Sequence, residues 1–186
     1  MFGSSECIRF QCRTGLLAGF PYRAKKTGQE ACPTGTRKPQ CYHLAVDNAG
    51  YVLVGGRSSR MGCDKALLPF RGGALAQSVA QVVSQAAGSA TLVGDPGRYA
   101  GLGYPVVPDL FPGEGPLGGI VTALWNTNAD WNLITACDMP QLEVDLLCGL
   151  LEIARAQPLV DALVPVGPEG RPEPLPVSPM ISGGVT

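Results

Sequence analysis

The sequence has little of several things that functional sites often use. Its 186 residues include one histidine, His43, and residues 49–186 contain none. Without a histidine, those residues cannot build a cysteine–histidine nucleophile around Cys137 or a histidine-ligated metal site. Charged residues make up only 16% of the chain. No uninterrupted apolar run reaches the roughly 18 residues of a membrane span, so none is predicted.

The formal net charge of −1 conceals an uneven distribution of charge. Residues 1–48 carry seven Lys/Arg and three Asp/Glu, whereas residues 49–186 carry seven Lys/Arg and twelve Asp/Glu. A nucleic-acid-binding domain presents a basic face, so the acidic longer part argues against nucleic acid as a partner. Two of its few basic residues, Arg60 and Lys65, lie in one glycine-rich stretch.

Cysteine pairs with the C-x2-C spacing of a zinc knuckle are also missing. Four of the seven cysteines lie in the first 48 residues: Cys7, Cys12, Cys32 and Cys41. Their spacing and the odd total favour free thiols in a reducing cytoplasm. Zinc binding by these cysteines and His43 is the alternative.

Residues 1–48 lack a hydrophobic period of either 3.6 or 2.0 and are rich in Gly, Thr, Gln, Lys and Pro. This composition predicts a disordered, basic, cysteine-containing extension. A targeting arm and translated sequence upstream of the true start are two further interpretations. Regular patterning begins near residue 51, so residues 49–186 are predicted to form the folded domain.

From residue 51 onward, short apolar strands alternate with amphipathic helices. Strands are predicted at 51–54, 90–93, 105–107, 131–136 and 162–166. Apolar residues at helical spacing start at Leu75, Leu117 and Leu142. This alternation predicts right-handed βαβ units and an α/β fold with a parallel sheet. Ligands of such sheets bind at the carboxyl ends of the strands.

The densest motif is the stretch Val52–Lys65, VLVGGRSSRMGCDK, which follows an apolar strand. Glycines allow the backbone to approach a phosphate closely, and successive N–H groups of such a loop form a concave anion site. Arg60 and Lys65 add full positive charges five residues apart. The motif is neither a P-loop nor a dinucleotide fingerprint. A glycine-rich turn with solvated basic residues is the simpler interpretation.

The full pattern, L-x-G-G-x-S-x-R-M-G-x-x-K, resembles the signature of nucleotidyltransferases, and most closely that of the molybdenum cofactor guanylyltransferase family. The resemblance implies a Rossmann-like three-layer sandwich with a mostly parallel sheet, as in nucleotide-diphospho-sugar transferases. It implies transfer of GMP from GTP to molybdopterin with Mg²⁺ as cofactor. Contacts with molybdoenzyme-maturation proteins are a further expectation. A cytidylyltransferase and a sugar-phosphate nucleotidyltransferase are the alternatives among enzymes.

Nucleotidyl transfer requires charge neutralisation on the phosphates and stabilisation of the leaving pyrophosphate. We expect Lys65 to contact the phosphates and Arg60 the pyrophosphate. Asp138 ends the fourth predicted strand, where a carboxylate suits a hard cation, so it is the expected Mg²⁺ ligand. The alternative for Asp138 is a helix cap for the segment after Pro140.

A second motif, PDLFPGEGPLGG, begins at Pro108. The resemblance makes Asp109 a nucleotide-binding position that would accept hydrogen bonds from the guanine edge or the ribose. It also implies contacts with the nucleotide from Asp138 and from the backbone of Leu53, Val54, Gly55 and Gly56.

Two positions depart from the family pattern. Val54 replaces the usual alanine and is expected to crowd the base, and Gly94-Asp95 replaces the usual asparagine after the second strand. For Trp125 and Trp131, core packing is favoured over stacking on a pterin.

The resemblance covers about residues 50–176, and the family ordinarily continues with another strand and terminal helices. The expected domain therefore lacks its usual C-terminal part. A non-catalytic remnant that binds a nucleotide, or nothing, is the alternative outside the enzymes.

Overall fold

The computed structural model describes residues 8–12, 15–20, 48–55, 63–157, 160–166 and 177–179. The strands are β1 Ile8–Cys12, β2 Gly15–Phe20, β3 Asn48–Leu53, β4 Pro69–Phe70, β5 Gly73–Ala74, β6 Thr91–Val93, β7 Val106–Val107, β8 Trp131–Ala136, β9 Val164–Val166 and β10 Val177–Pro179. The α-helices are α1 Leu75–Ala87, α2 Pro96–Tyr99, α3 Pro116–Trp125 and α4 Val144–Ala156, and short 3-10 helices span Lys65–Leu67 and Ala100–Leu102.

The main sheet has five strands in the order β10-β8-β3-β6-β7. Strands β8, β3, β6 and β7 run parallel, and β10 pairs antiparallel with β8. The register pairs Leu53 with both Val93 and Ala136, and Val93 with Val107. The four parallel strands therefore end at the same level. This sheet confirms the predicted α/β class.

One face of the sheet is covered by α1 and α4. Helix α1 buries residues at the predicted helical spacing, and Gly88, with φ of 84°, ends the helix. Gly50 in β3 permits the close approach of α1, because a Cβ there would overlap the side chain of Val83 and the carbonyl oxygen of Ser89. The buried residues of α4 are Leu147, Leu150, Leu151 and Ala154.

The opposite face of the sheet is covered by α3. Ala123 of α3 packs in a buried cluster with Tyr51, Val93 and Ile134, one residue from each of three neighbouring strands. Alternate residues of the same strands, Val52, Leu92 and Leu133, face the other layer of helices. Helices on both faces of one sheet make the three-layer sandwich that the resemblance implied.

The strand predicted at 162–166 is present as β9, but the expectation that it joins the parallel sheet is wrong. It pairs antiparallel with β1 in a separate sheet of order β2-β1-β9. A hydrophobic run predicts that a strand exists but does not select its partner, which here lies near the other end of the sequence.

Strands β1 and β2 also lie inside the segment 1–48 that was expected to be disordered. They form an antiparallel pair of five and six residues. The apolar alternation of IRFQC is too short to predict a strand, and the pairing with β9 is long-range. Other residues up to 47 lie outside the described residues, so the proposed boundary near residue 48 stays a prediction.

Among the described residues, no helix is both long and apolar enough to cross a membrane. Cys148 in α4 is disulfide-bonded, which differs from the expectation of free thiols. Cysteine spacing does not reveal which thiols a fold brings together. Cys63 and Cys137 carry free thiols.

Candidate active site

The candidate site lies where the parallel strands of the main sheet end. Strand β3 leads into Gly55, β6 into Gly94, β7 into Asp109, and β8 into Cys137 and Asp138. Because these strands end in register, the predicted residues share one edge of the sheet. Gly56 and Arg60 belong to residues 56–62, which lie outside the described residues, so the roles expected for them stay predictions.

The backbone leading into the glycine-rich stretch is held on both sides. The Cys137 N–H donates to the Leu53 carbonyl at 3.1 Å, and the Val54 N–H donates to the Val93 carbonyl at 3.0 Å. These bonds tie β3 to β8 and β6 up to the residue before Gly55. Any nucleotide contact from the backbone of Leu53 or Val54 would therefore be made by a rigid support.

Gly55 is exposed, unlike the buried Val54 that precedes it. A Cβ on Gly55 would meet no described atom closer than the Cα of Gly94 at 3.9 Å. Gly55 is also not one of the described glycines with positive φ. Within the described residues, neither packing nor backbone conformation requires glycine here. Such a glycine fits a position where a ligand approaches the backbone.

The Val54 side chain does not lie where we expected it. It is only 3% exposed and belongs to the core cluster between the sheet and the α1–α4 layer. A Cβ on Gly94 would be 2.8 Å from Cγ2 of Val54. The two departures from the family pattern are thus in contact, and the larger side chain of Val54 occupies space that Gly94 leaves open. The expectation that Val54 crowds the base is wrong on this geometry.

Lys65 begins the short 3-10 helix Lys65–Leu67, and Asp64 is its N-cap residue. Oδ1 of Asp64 accepts a hydrogen bond from the Ala66 N–H at 3.1 Å. Oδ2 of Asp64 accepts a hydrogen bond of 2.7 Å from the Tyr99 hydroxyl and an ion pair of 3.0 Å from Arg98. Asp64 therefore holds the start of the turn that carries Lys65.

The pKa of the Cys137 thiol is affected by several charged residues of this edge. Burial, followed by the negative charges of Asp138 and Asp64, raises the pKa of its thiol to about 11, and the charge of Lys65 acts in the opposite direction. Three charged side chains from two distant segments therefore act on one thiol. Lys65 and Asp138 therefore both lie within electrostatic range of Cys137, and the raised pKa keeps its thiol neutral rather than nucleophilic.

Asp138 is exposed and follows directly on β8. It does not cap the next helix, because α4 has Glu143 as its N-cap residue and no side-chain cap bond. The capping alternative is therefore not what the structure shows. The carboxylate of Asp138 at the strand end can therefore serve as an oxygen ligand for a cation.

The donor set fits Mg²⁺ in the way that this ion binds phosphorylated substrates. No group of three or more His, Cys, Asp or Glu side chains in the described ranges could hold a metal by itself. Mg²⁺ is commonly bound through one or two carboxylates, substrate phosphates and water. The exposed carboxylate of Asp138 after β8 suits that mode, in which the nucleotide supplies the remaining oxygens.

Asp109 has a structural task in the loop that precedes α3. Its Oδ1 accepts hydrogen bonds from the Phe111 N–H at 3.0 Å and from the Thr122 hydroxyl at 3.1 Å. The oxygen of that hydroxyl accepts from the Leu110 N–H at 3.0 Å. Asp109 thus ties its own loop to the buried Thr122 of α3. A contact with the nucleotide would be additional to these bonds.

The glycines of the second motif are required by close packing. A Cβ on Gly118 would be 2.7 Å from the Phe111 carbonyl oxygen, and one on Gly119 would be 3.0 Å from a methyl carbon of Leu53. Gly115, with φ of 69°, precedes Pro116 at the start of α3. These glycines let α3 lie against its own loop and against β3.

The two tryptophans differ, although core packing was favoured for both. Trp131 is 8% exposed and packs in the core, as expected. Trp125 is 69% exposed and makes an edge-to-face contact with Phe111, with ring centroids 5.7 Å apart. The core expectation for Trp125 is wrong, because Trp125 lies roughly 200° around α3 from the buried Ala123 and so faces away from the sheet.

Sequence reasoning missed Asp64, Arg98 and Tyr99. Asp64 had a signal, since an aspartate directly before a helical turn is a common cap. Tyr99 had none that could be read locally, because 35 residues separate it from Asp64. Only the fold shows that α2, which follows β6, reaches the turn that carries Lys65.

Comparison with known proteins places the chain in a family. Residues 50–183 match the family described as the MobA-like NTP transferase domain. A probable molybdenum cofactor guanylyltransferase from Deinococcus radiodurans is 38% identical over 67% of this chain and 63% of its own length. The molybdenum cofactor guanylyltransferase of Xanthomonas euvesicatoria is 41% identical over 55% of this chain and 52% of its own length. The chain thus spans about half to two thirds of these curated relatives.

Solved structures give the same result for the fold. The molybdopterin-guanine dinucleotide biosynthesis protein A of Archaeoglobus fulgidus superposes with a TM-score of 0.57 at 28% identity, covering 71% of this chain and 67% of that one. CMP:2-keto-3-deoxy-manno-octonic acid synthetase, complexed with CTP, superposes with a TM-score of 0.56 over 62% of this chain and 50% of that one. At 20% identity, this second likeness concerns the fold alone. With its sequence match over residues 50–183 and its three-layer architecture, the chain belongs to the MobA-like NTP transferase domain family.

Proposed function

We propose that the protein is a nucleotidyltransferase that transfers GMP from GTP to molybdopterin and releases pyrophosphate, so that the guanine dinucleotide form of the cofactor results. Membership of the family and the printed names of the relatives support this assignment. The geometry that supports it most is the register of the parallel strands, which brings the residues after β3, β7 and β8, among them Gly55, Asp109 and Asp138, to one edge of the sheet. A cytoplasmic location belongs to the same proposal, because the nucleotide used is a cytoplasmic metabolite.

The chemistry is a displacement at the α-phosphorus of the nucleotide. A phosphate oxygen of the acceptor forms the new bond to phosphorus, the bond to the bridging oxygen breaks, and pyrophosphate leaves with that electron pair. In phosphoryl transfer of this kind the protein mainly positions the reactants and neutralises charge. The site is built for that work, since its charged groups sit on the ends of a rigid sheet.

The proposed roles of Lys65, Asp109 and Asp138 take account of where these side chains lie, and those of Gly56 and Arg60 rest on the motif alone. Lys65 neutralises charge on the phosphates, and Arg60 does the same for the leaving pyrophosphate. Gly55 and Gly56 let the backbone come close to the nucleotide, with Leu53 and Val54 as their rigid base. Asp109 accepts from the guanine edge or the ribose, and the bonds to Thr122 and Phe111 keep its carboxylate oriented.

Asp138 would hold Mg²⁺ together with phosphate oxygens of the nucleotide. The ion would supply Lewis-acid neutralisation of the phosphate charge. The carboxylate is exposed at the end of β8, so it is accessible to a nucleotide and its ion.

The first test is a thermal-shift panel of the chain with GTP, CTP, UTP or ATP, each with and without Mg²⁺. A nucleotide at 100 times its Kd stabilises the folded state by about 2.7 kcal/mol. At roughly 2–4 °C per kcal/mol for a domain of this size, the expected rise in Tm is about 5–10 °C. We expect this rise with GTP and Mg²⁺, and a much smaller one for Lys65→Ala.

The panel also separates the alternatives. A shift with CTP or UTP instead of GTP would move the proposal to another nucleotidyltransferase. A cooperative melt that no nucleotide shifts would favour the non-catalytic remnant. A GTP shift would be followed by an assay of pyrophosphate release in the presence of molybdopterin.

A further inference from the structure

Tyr99 lies at the end of the short helix α2 and is only 2% exposed. Its ring packs against Gly94, where a Cβ would be 3.0 Å and 3.2 Å from two ring carbons. Its hydroxyl donates a hydrogen bond of 2.7 Å to Oδ2 of Asp64. Burial, and then this bond, raise the pKa of the Tyr99 hydroxyl, so it stays a proton donor throughout the physiological range.

Arg98 converges on the same oxygen. Its Nη2 lies 3.0 Å from Oδ2 of Asp64, and its guanidinium carbon lies 5.8 Å from the centroid of the Tyr99 ring. The Asp64 side chain is 14% exposed, so its negative charge is largely removed from water. A buried carboxylate needs both a charge partner and hydrogen bonds, and Arg98 and Tyr99 supply them.

The other oxygen of Asp64 acts on the segment that carries Lys65. Oδ1 accepts a hydrogen bond from the Ala66 N–H, so the carboxylate links the residue before Lys65 to the residue after it. The orientation of Asp64 therefore determines where the Lys65 backbone begins its turn. Since Arg98 neutralises Asp64, the carboxylate competes less for the ammonium group of Lys65.

We propose that Tyr99 and Arg98 are positioning residues, which clamp Asp64 and thereby hold Lys65 ready for the nucleotide phosphates. This inference rests on the proposed function for the role of Lys65. It assigns to α2 a task in the site, although α2 follows a different strand from the one that leads into the glycine-rich stretch.

The test compares two substitutions that each remove one tyrosine hydroxyl. Tyr99→Phe keeps the ring on Gly94 and removes only the bond to Asp64. Tyr51→Phe is the matched control, because the Tyr51 hydroxyl donates to the Asn126 carbonyl at 3.0 Å and belongs to the cluster on the α3 side. We expect Tyr99→Phe to raise the Kd for GTP with Mg²⁺ about tenfold, as for loss of a hydrogen bond to a charged group, and Tyr51→Phe to leave it unchanged.

A double-mutant cycle with Lys65→Ala shows whether Tyr99 acts through Lys65. In the Lys65→Ala background, Tyr99→Phe should cause no further loss of GTP affinity. Arg98→Gln should behave in the same way with a smaller effect, because Arg98 is half-exposed. An equal loss from Tyr99→Phe in both backgrounds, or no loss in the wild-type background, would overturn the clamp.

Amide hydrogen exchange gives a readout that needs no nucleotide. The Ala66 N–H bonds to Asp64, so it should exchange faster in Tyr99→Phe than in the wild type or in Tyr51→Phe. Unchanged exchange at Ala66 in Tyr99→Phe would overturn the clamp even if no nucleotide bound. Absence of nucleotide binding by the wild type would count against the proposed function instead, so the two failures are distinguishable.

Discussion

Two glycine-rich segments follow parallel strands of the same sheet, and they use glycine for opposite reasons. After β3, a Cβ on Gly55 would meet nothing described within 3.9 Å. In the first turn of α3, a Cβ on Gly118 would lie 2.7 Å from the backbone oxygen of Phe111. Packing requires the second glycine, whereas no atom of the described residues fills the space beside the first.

Two aspartates at the strand ends, Asp109 after β7 and Asp138 after β8, differ in the same way. Asp109 uses its Oδ1 to hold its own loop to Thr122, while Asp138 is exposed and does not cap the helix that follows. Both segments resemble a family motif, yet the physical reason for the residues differs. A motif match therefore identifies positions, and only the contacts show whether a position serves the fold or the ligand.

The largest effect is expected from removing a charged side chain of the candidate site. We expect Lys65→Ala or Asp138→Ala to lower the rate of GMP transfer by about 10²–10³-fold, the usual loss when one preorganised electrostatic group is removed. Arg71→Gln is the control, because Arg71 is an exposed cation in the β4–β5 turn. Steady-state pyrophosphate release measures all three variants, and wild-type turnover in Lys65→Ala would refute its role.

The glycines test the comparison directly. Gly118→Ala should destabilise the fold by about 1–3 kcal/mol through overpacking, lowering the Tm by several degrees. Gly55→Ala should change stability by less than about 0.5 kcal/mol but weaken binding of GTP. Thermal melts and a GTP titration on both variants are the measurement. A large drop in Tm for Gly55→Ala would show that its space is occupied by the protein.

Removal of the Thr122 hydroxyl tests the structural role of Asp109 alone. Thr122→Val removes the donor to Asp109 and the acceptor for the Leu110 N–H in a fully buried position. We expect a loss of roughly 1–2 kcal/mol in urea unfolding, because buried polar groups lose their partners. Thr122→Ser keeps the hydroxyl and should lose less. Equal losses in the two variants would mean that packing, not hydrogen bonding, determines the cost.

The smallest expected effect is a change in the pKa of Cys137 when one of the two aspartates is substituted. Its pKa is raised from 9.0 to about 11, so the neutral thiol stabilises the fold below pH 9, and that contribution is lost as the pH rises through 11. Asp138→Asn should lower the pKa of Cys137, because Asp138 raises it, whereas Asp109→Asn should not. The pH dependence of iodoacetamide labelling at Cys137, followed by mass spectrometry, checks this. A shift caused by Asp109→Asn would contradict the separation of the two segments.

Local patterns predicted much of the fold. The strand at 131–136, the helix from Leu75 to Gly88 and the α/β class are confirmed, because apolar periodicity and a glycine stop act over a few residues. The partner of β9 and the pairing of β1 with β2 were not predicted, since strand pairing depends on contacts between distant segments.

The candidate site shows the same division. Lys65, Asp109 and Asp138 could be selected from residue type and motif, although their roles stay proposals. The exposure of Trp125 and the burial of Val54 against Gly94 could not be predicted, because the first depends on which face of α3 meets the sheet and the second on how two neighbouring strands pack. Arg98 and Tyr99 carried no motif at all.

By itself, the sequence determined the alternation of strands and helices and the glycine-rich signature, because both arise from neighbouring residues and from the backbone freedom of glycine. The tertiary structure alone decided that Tyr99 and Arg98 hold Asp64, and that the charge of Lys65 acts on the Cys137 thiol. It also decided that Gly118 packs closely, while Gly55 meets no described atom within van der Waals crowding distance. Most of these depend on distances between segments that are far apart in the chain, such as the 35 residues between Asp64 and Tyr99, and the alignment of the parallel strands sets those distances.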